Sequence, residues 1–160
     1  MSNELKASMT GTSQHILVGW REWLALPDLP IPSIKAKIDS GARTSCLHTA
    51  EYEIFQKDDQ DWVRFTVHPI KRHDEVESHA EAPVVDYRVV RDSGGHEERR
   101  PFIKTTLQVG KEKWEIELSL SNRENMKFRM LLGRTGMSDR ILIDCAKSYL
   151  AGKKPKNIRP

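Results

Sequence analysis

From Trp114 to Leu120 the chain alternates strictly, with Trp114, Ile116, Leu118 and Leu120 on one side and Glu115, Glu117 and Ser119 on the other. A period of two places alternate side chains on opposite faces of a strand, so this segment predicts a strand with one face buried. Apolar and β-branched runs recur over residues 15–20, 33–38, 51–56, 62–70, 84–91, 103–109 and 141–145, and each predicts a further strand. Turn residues separate several of them: Lys57-Asp58-Asp59-Gln60-Asp61 and Asp92-Ser93-Gly94-Gly95 predict hairpins, and Val109-Gly110-Lys111-Glu112 a tighter one. Helical signal is weak, limited to a turn over residues 121–126 and a short C-terminal one over 146–150, neither long enough to be stable alone. The pattern predicts an all-β fold with little helix, largely antiparallel, closed as a small barrel or sandwich.

Length and composition narrow this picture. A chain of 160 residues suits one domain with a core that needs no disulfide staple. Residues 1–14 are small, polar and aperiodic and predict a disordered N-terminal segment. Residues 15–150 carry the folded domain, and residues 151–160 read as a basic flexible tail. The 26 basic residues against 23 acidic ones, a net charge of +3, are interspersed rather than gathered in a stripe, so nucleic acid is not an expected partner. Nothing approaches the roughly 20 apolar residues of a membrane-crossing helix. Cys46 and Cys145 are the only cysteines and no charged and apolar leader opens the chain, so a reducing, cytoplasmic setting is expected.

The segment with chemical content begins at residue 34. The apolar alternation Ile34-Lys35-Ala36-Lys37-Ile38 runs straight into Asp39-Ser40-Gly41-Ala42, which puts an acidic side chain at a strand end, in a turn that Gly41 lets bend sharply. Alone, an Asp-Ser/Thr-Gly tripeptide is weak evidence, since average residue usage produces one in about one chain in fifteen of this length. A second element, Met130-Leu131-Leu132-Gly133-Arg134, lies about ninety residues downstream and raises the specificity.

With these two elements in order, the chain resembles the retropepsin-like aspartic peptidases, whose pattern is Asp-Thr/Ser-Gly-Ala after an apolar strand and a later apolar-apolar-Gly-Arg segment. The run from Lys37 to His48, with residues 130–134, is similar to the bacterial RimB-like group labelled ATP-dependent zinc proteases. That group usually has Thr where this chain has Ser40, a departure that keeps the hydroxyl. The resemblance implies a retropepsin-like (acid protease) barrel with one half-site per chain, and a homodimer in which the two Asp39 carboxylates meet. One carboxylate would act as base and the other, sharing a proton with it, as acid. The same resemblance makes Ser40, Gly41, Ala42, Leu131, Leu132, Gly133 and Arg134 the supports of the catalytic loop. It places Arg43 and Thr44 at a substrate subsite, with Arg88 adding positive charge to the cleft, and makes residues 84–109, turning at Ser93, Gly94 and Gly95, the flap over a bound peptide. It further implies a peptide or protein substrate, glutamate-rich or glutamate-modified, and a functional link to an ATP-grasp glutamate ligase. No cofactor is expected.

Two other readings stand beside this one: a non-catalytic module of the same fold that binds acidic peptides or regulates a ligase, and the zinc metallopeptidase of the group's label. For the last, His96-Glu97-Glu98-Arg99-Arg100 opens like a zincin helix but has Arg100 where the second histidine belongs. His48, His68, His73, His79, His96 and Cys46 lack the short ligand spacing of a convincing site, so no metal is expected. No phosphate-binding Gly-x-x-x-x-Gly-Lys-Ser/Thr loop occurs, Ser13 lacks the glycines of a nucleophile elbow, and Cys46 with His48 reads as packing rather than a nucleophile pair. Trp20, Trp23, Trp62 and Trp114 are not interleaved with basic residues and read as core or interface aromatics.

Overall fold

The computed structural model describes residues 15–70, 76–92, 94–122 and 127–152. Among these, the chain runs β1 (Ile16–Val18), β2 (Arg21–Leu26), β3 (Ile31–Ile38), β4 (Ser45–His48), β5 (Glu51–Lys57), β6 (Gln60–Val67) and β7 (Ser78–Pro83). It continues through β8 (Asp86–Arg91), β9 (Glu97–Val109), β10 (Glu112–Ser121), β11 (Met130–Leu132), a single-turn helix α1 (Arg134–Met137) and β12 (Ile141–Ile143). The predicted all-β class is what the chain adopts.

One sheet has the order β10-β4-β11-β3-β2-β9-β8, and β10 also pairs with β9, so six of its strands form a hydrogen-bonded ring with β8 outside it. The ring closes through a single rung between β2 and β9, Ala25 opposite Gln108. Within it lie Leu24, Ile34, Ala36, Ile38, Leu47, Leu107, Ile116, Leu118, Leu120, Met130 and Leu132, all buried, so hydrophobic burial holds the barrel shut, and both cysteines are free. A three-stranded meander, β5-β6-β7, and a two-stranded pair, β1-β12, complete the described structure. Pairing is mostly antiparallel as expected, but β1–β12, β4–β10 and β3–β11 are parallel.

The turns follow their chemistry. Asp58 and Asp59 both take positive φ (52° and 59°), as a two-residue hairpin loop between β5 and β6 requires, and Gly110 (φ 60°) does the same before Lys111. β9 is long because it serves two partners: residues 97–102 pair with β8, while 102–109 pair with β10 inside the ring. The β8–β9 hairpin therefore extends beyond the ring.

Several expectations need correction. The strand predicted over residues 15–20 is broken at Gly19, which packs against the Lys147 backbone so closely that an added Cβ would lie 2.1 Å from its carbonyl oxygen. β2 follows that corner, hidden in the sequence because Glu22 occupies a buried position between the apolar ones. β4 was missed because it is buried on both faces yet reads Ser-Cys-Leu-His, and the first half of β9 because it reads Glu-Glu-Arg-Arg. No helix forms over residues 146–150; this segment is an irregular strap, with Lys147 accepting from the Trp20 N–H and Tyr149 donating to the Arg21 carbonyl. The helix lies instead at α1, whose Arg-Thr-Gly-Met sequence has no apolar period. Of the turn predicted over 121–126, residues 123–126 lie outside the described residues, as do the predicted disordered segment 1–14 and most of the tail.

Arg88 staples the projecting hairpin to the barrel. It donates to both carboxylate oxygens of Glu117 on β10 (2.9 and 3.2 Å) and to Asp86 (2.9 Å), while its guanidinium lies over the Phe102 ring. The Arg88 hydrogen bonds hold the Glu117 carboxyl below its usual range. A carboxylate with a depressed folded-state pKa contributes stability that is present above its unfolded value and lost as pH falls through the folded one. Glu117→Gln is accordingly expected to cost about 0.5 to 1 kcal/mol at pH 7, allowing for solvent screening of this part-exposed pair, and less at an acid pH where the native carboxyl is protonated. Urea unfolding at both pH values checks this, and an equal loss at the two would contradict it.

Candidate active site

Asp39 sits where three segments meet. β3 buries Ile34, Ala36 and Ile38 and turns Lys35 and Lys37 outward, so the strand arrives at residue 39 with its side-chain alternation pinned by the core. The Ile38 N–H donates to the Trp20 carbonyl (2.8 Å) and the Asp39 N–H to the Leu132 carbonyl (2.9 Å), which fixes the backbone on either side of the aspartate Cα. The chain then bends: the Ala42 N–H reaches the Asp39 carbonyl (3.2 Å), and the Gly41 N–H donates to Asp39 Oδ1 (2.9 Å). Asp39 is half-buried, with Ser40 and Gly41 exposed beside it. Among the described residues its Oδ2 has no hydrogen-bond partner, so one oxygen is oriented by backbone and the other is open.

β11 lies directly beneath. It runs parallel to β3, with Leu131 opposite Lys37 and Leu132 opposite Ile38, and antiparallel to β4, with Leu131 opposite Cys46. The two sequence elements separated by about ninety residues are thus hydrogen-bonded neighbours. Gly133 makes this possible, because a Cβ there would lie 2.4 Å from the Thr44 carbonyl oxygen and 3.0 Å from that of Ala42. Beyond it the chain turns back on the loop: the Arg134 and Thr135 N–H groups donate to the Ala42 and Arg43 carbonyls, and the Arg134 guanidinium to the Ser40 carbonyl (2.9 Å). β11 and the residues after it, Gly133 and Arg134, therefore hold the backbone of Asp39, Ser40, Ala42 and Arg43 from below.

Ser45 belongs to this unit and was not singled out from sequence. It is fully buried, its Oγ accepts from the Gly133 N–H (3.0 Å), and its carbonyl accepts from Ser119 (3.2 Å). A hydroxyl at the head of an otherwise hidden strand is the only signal the sequence offers. Gly136 is another such residue: its carbonyl takes the Trp114 indole N–H (2.9 Å), tying α1 to the barrel.

The charges around the loop are unbalanced. Arg43 is exposed and has no carboxylate partner among the described residues, and the same holds for Arg134 beyond its bond to Ser40 and for Lys37. Thr44 is half-buried next to them. Three of the Arg88 N–H donors are taken by Glu117 and Asp86. At the hairpin tip Asp92 Oδ1 accepts from the Gly94 and His96 N–H groups (both 2.9 Å) and Gly95 takes positive φ (84°); Ser93 lies outside the described residues.

Other candidates do not gather into a centre. The Cys46 thiol is buried, which pushes its pKa up, and its sulfur accepts from Arg100 (3.4 Å). Burial, the larger influence, favours the neutral thiol over a nucleophilic thiolate, and Arg100 opposes it only in part. His79 is shared between Thr66 (3.0 Å) and Glu77 (2.9 Å), His96 lies at the hairpin tip, and His73 falls outside the described residues. No group of three or more metal-ligating side chains occurs among the described residues, so the donor set there does not fit a zinc centre.

Comparison with known proteins agrees with this geometry. Residues 17–154 match the family described as RimB-like, retropepsin-like aspartic endopeptidase RimB. The chain is 44% identical over 140 residues to a protein of Desulfotalea psychrophila named probable alpha-L-glutamate ligase, covering 88% of this chain and 30% of that protein. A protein of the same name from Shewanella pealeana is 42% identical over 138 residues, covering 86% and 30%. The chain thus spans about 30% of the length of these curated relatives. Among solved structures, Lpg0085 from Legionella pneumophila, a protein of unknown function, superposes with a TM-score of 0.70 at 25% identity, over 84% of this chain and 97% of that one.

The bracing beneath Asp39 makes two substitutions costly. Gly133→Ala drives a methyl group into the Thr44 carbonyl and is expected to cost at least about 2 kcal/mol. Ser45→Ala leaves the buried Gly133 N–H unpaired, for about 1 to 3 kcal/mol. Shifts in urea midpoint measure both; a Gly133→Ala protein as stable as the parent would show that the loop is not held this way.

Proposed function

The chain belongs to the RimB-like family of retropepsin-like aspartic endopeptidases, and on that premise we propose that it is one half of a homodimeric aspartic endopeptidase to which each subunit contributes Asp39. The observation that carries this reading is the Asp39 turn: a half-buried carboxylate with one oxygen oriented by the Gly41 N–H and the other open, on a backbone clamped to β11. A single carboxylate so placed can act as base but has no acid beside it. A second copy across a two-fold axis supplies one, because like charges at such close range cannot both ionise and the pair retains one proton. The ionised partner would take a proton from water as that water attacks the peptide carbonyl, and the protonated partner would donate to the carbonyl oxygen.

The β1–β12 sheet offers a surface for pairing. Among the described residues both of its outer edges are unpaired, and Leu17 (53% exposed) and Leu142 (56%) stand out from it into solvent. Exposed apolar residues on a free sheet edge favour association with another strand. The β8–β9 hairpin would cover the bound peptide, its glycine-containing tip opening and closing. Arg43, Arg134 and Lys37, unneutralised around the turn, favour an acidic substrate such as a glutamate-rich or glutamate-modified peptide tail, through charge-assisted hydrogen bonds to its carboxylates.

A second reading has its own support in the relatives named probable alpha-L-glutamate ligase, of which this chain covers about 30%. In it the same fold binds acidic peptides, or acts on a glutamate ligase, without cleaving anything. Asp39→Asn separates the two. On the first reading it lowers hydrolysis of a glutamate-rich peptide by a factor of about 10² to 10⁴, with melting temperature and sedimentation unchanged. Full turnover by the variant would sink the aspartic mechanism. Peptide binding that ignores the substitution, with no turnover by either protein, would establish the second reading.

A further inference from the structure

Glu22 is a buried acid that the proposed chemistry does not use. It is fully buried in β2, and no cation pairs with it among the described residues. Instead its carboxylate accepts three backbone N–H groups: Oε2 takes Gly19 (2.6 Å) and Leu150 (2.8 Å), and Oε1 takes Ala151 (2.9 Å). A carboxylate removed from water at this depth is costly unless its lone pairs are filled, and here the filling comes from two segments far apart in the chain.

Those segments are the corner between β1 and β2 and the C-terminal strap. Around the carboxylate they make further bonds: the Trp20 N–H donates to the Lys147 carbonyl (2.9 Å), Tyr149 to the Arg21 carbonyl (3.0 Å), and the Arg21 side chain to Ser148 (3.1 Å). The corner is also the support of the active-site strand, because the Trp20 carbonyl accepts the Ile38 N–H (2.8 Å) one residue before Asp39. We propose that Glu22 is a positioning residue, a clasp that binds the strap at residues 150–151 to the Gly19–Trp20 corner and through that corner sets the backbone of Asp39. The strap continues from β12, so the clasp also holds in place the strand pair through which the subunits would associate.

The clasp stands on the hydrogen bonds alone; its consequence for turnover rests on the peptidase reading. Glu22→Gln keeps size and shape but offers one oxygen in place of two, so its amide nitrogen faces a backbone N–H whichever way it flips. Ala151→Pro is a milder second variant that removes one donor and leaves Glu22 intact. Hydrogen exchange of the full chain, followed by amide, is expected to accelerate about tenfold or more in Glu22→Gln at Gly19 and Leu150 and also at Ile38 and Asp39, and in the same direction but less in Ala151→Pro. Acceleration confined to residues 19, 150 and 151, with Ile38 and Asp39 as protected as in the parent, would overturn the proposal. With a cleavable peptide, Glu22→Gln is expected to lower kcat tenfold to a hundredfold with KM within about twofold. A parent protein that cleaves nothing removes the peptidase reading but leaves the exchange measurement to decide the clasp.

Discussion

The insertion of β11 between β3 and β4 is the contact on which the rest of the molecule depends. Three residues, Met130–Leu132, take parallel bonds on one side and antiparallel ones on the other, and without them the ring would be open between the strand that delivers Asp39 and the strand that leaves it. Such a short strand has little stability of its own. It is held because Met130 and Leu132 are fully buried and because Gly133 lets the chain pass within van der Waals contact of the Thr44 carbonyl. The same bonds that close the barrel orient the aspartate, since the Leu132 carbonyl receives the Asp39 N–H and Ser45 receives that of Gly133. Stability and geometry of the site are therefore one problem here, and the loop should not loosen without the core loosening too.

Around that rigid element the structure distributes charge in two different ways. On the barrel wall, Arg88 is consumed by Glu117 and Asp86, and its work is to hold a hairpin. At the Asp39 turn, Arg43, Arg134 and Lys37 are left without carboxylate partners among the described residues. Pairing an arginine within the fold costs it most of its capacity to bind a ligand, whereas an unpaired one beside a cleft retains its planar fork for a substrate carboxylate. Arg88 is thus committed to the fold, and Arg134 in part, through its bond to the Ser40 carbonyl, whereas Arg43 has no such commitment among the described residues.

What was legible in the sequence was whatever local pattern determines. The alternation through Trp114 to Leu120, the Asp-Asp and Gly turns, and the apolar run into Asp39 each specify their own conformation, and the fold follows them. The union of the Asp39 and Leu132-Gly133 segments was legible only through resemblance, because nothing in either segment encodes the other's proximity. What stayed hidden was set by tertiary surroundings. β4 is buried on two faces and so lost the alternation that marks a strand, and α1 is a turn capped by the Ala42 and Arg43 carbonyls rather than by any helical sequence. Glu22 was the most misleading residue, a charged side chain at a core position, explicable only once the N–H groups of residues 19, 150 and 151 are seen to converge on it.

A half-site has a consequence for the relatives named as ligases. Each matches this chain over about 30% of its own length, so a unit similar to this one recurs within a chain about three times as long. If the two-carboxylate mechanism holds, one copy of the unit is inert wherever it is found, because the acid must come from a second Asp39. Joining the unit to a longer chain would then place hydrolysis under the control of pairing between whole chains, while leaving any activity of the remaining length available to a single one. Bond making by one part and bond breaking by another would respond differently to protein concentration, the first linearly and the second as a dimerisation equilibrium. On that mechanism the difference does not depend on which peptide is cut.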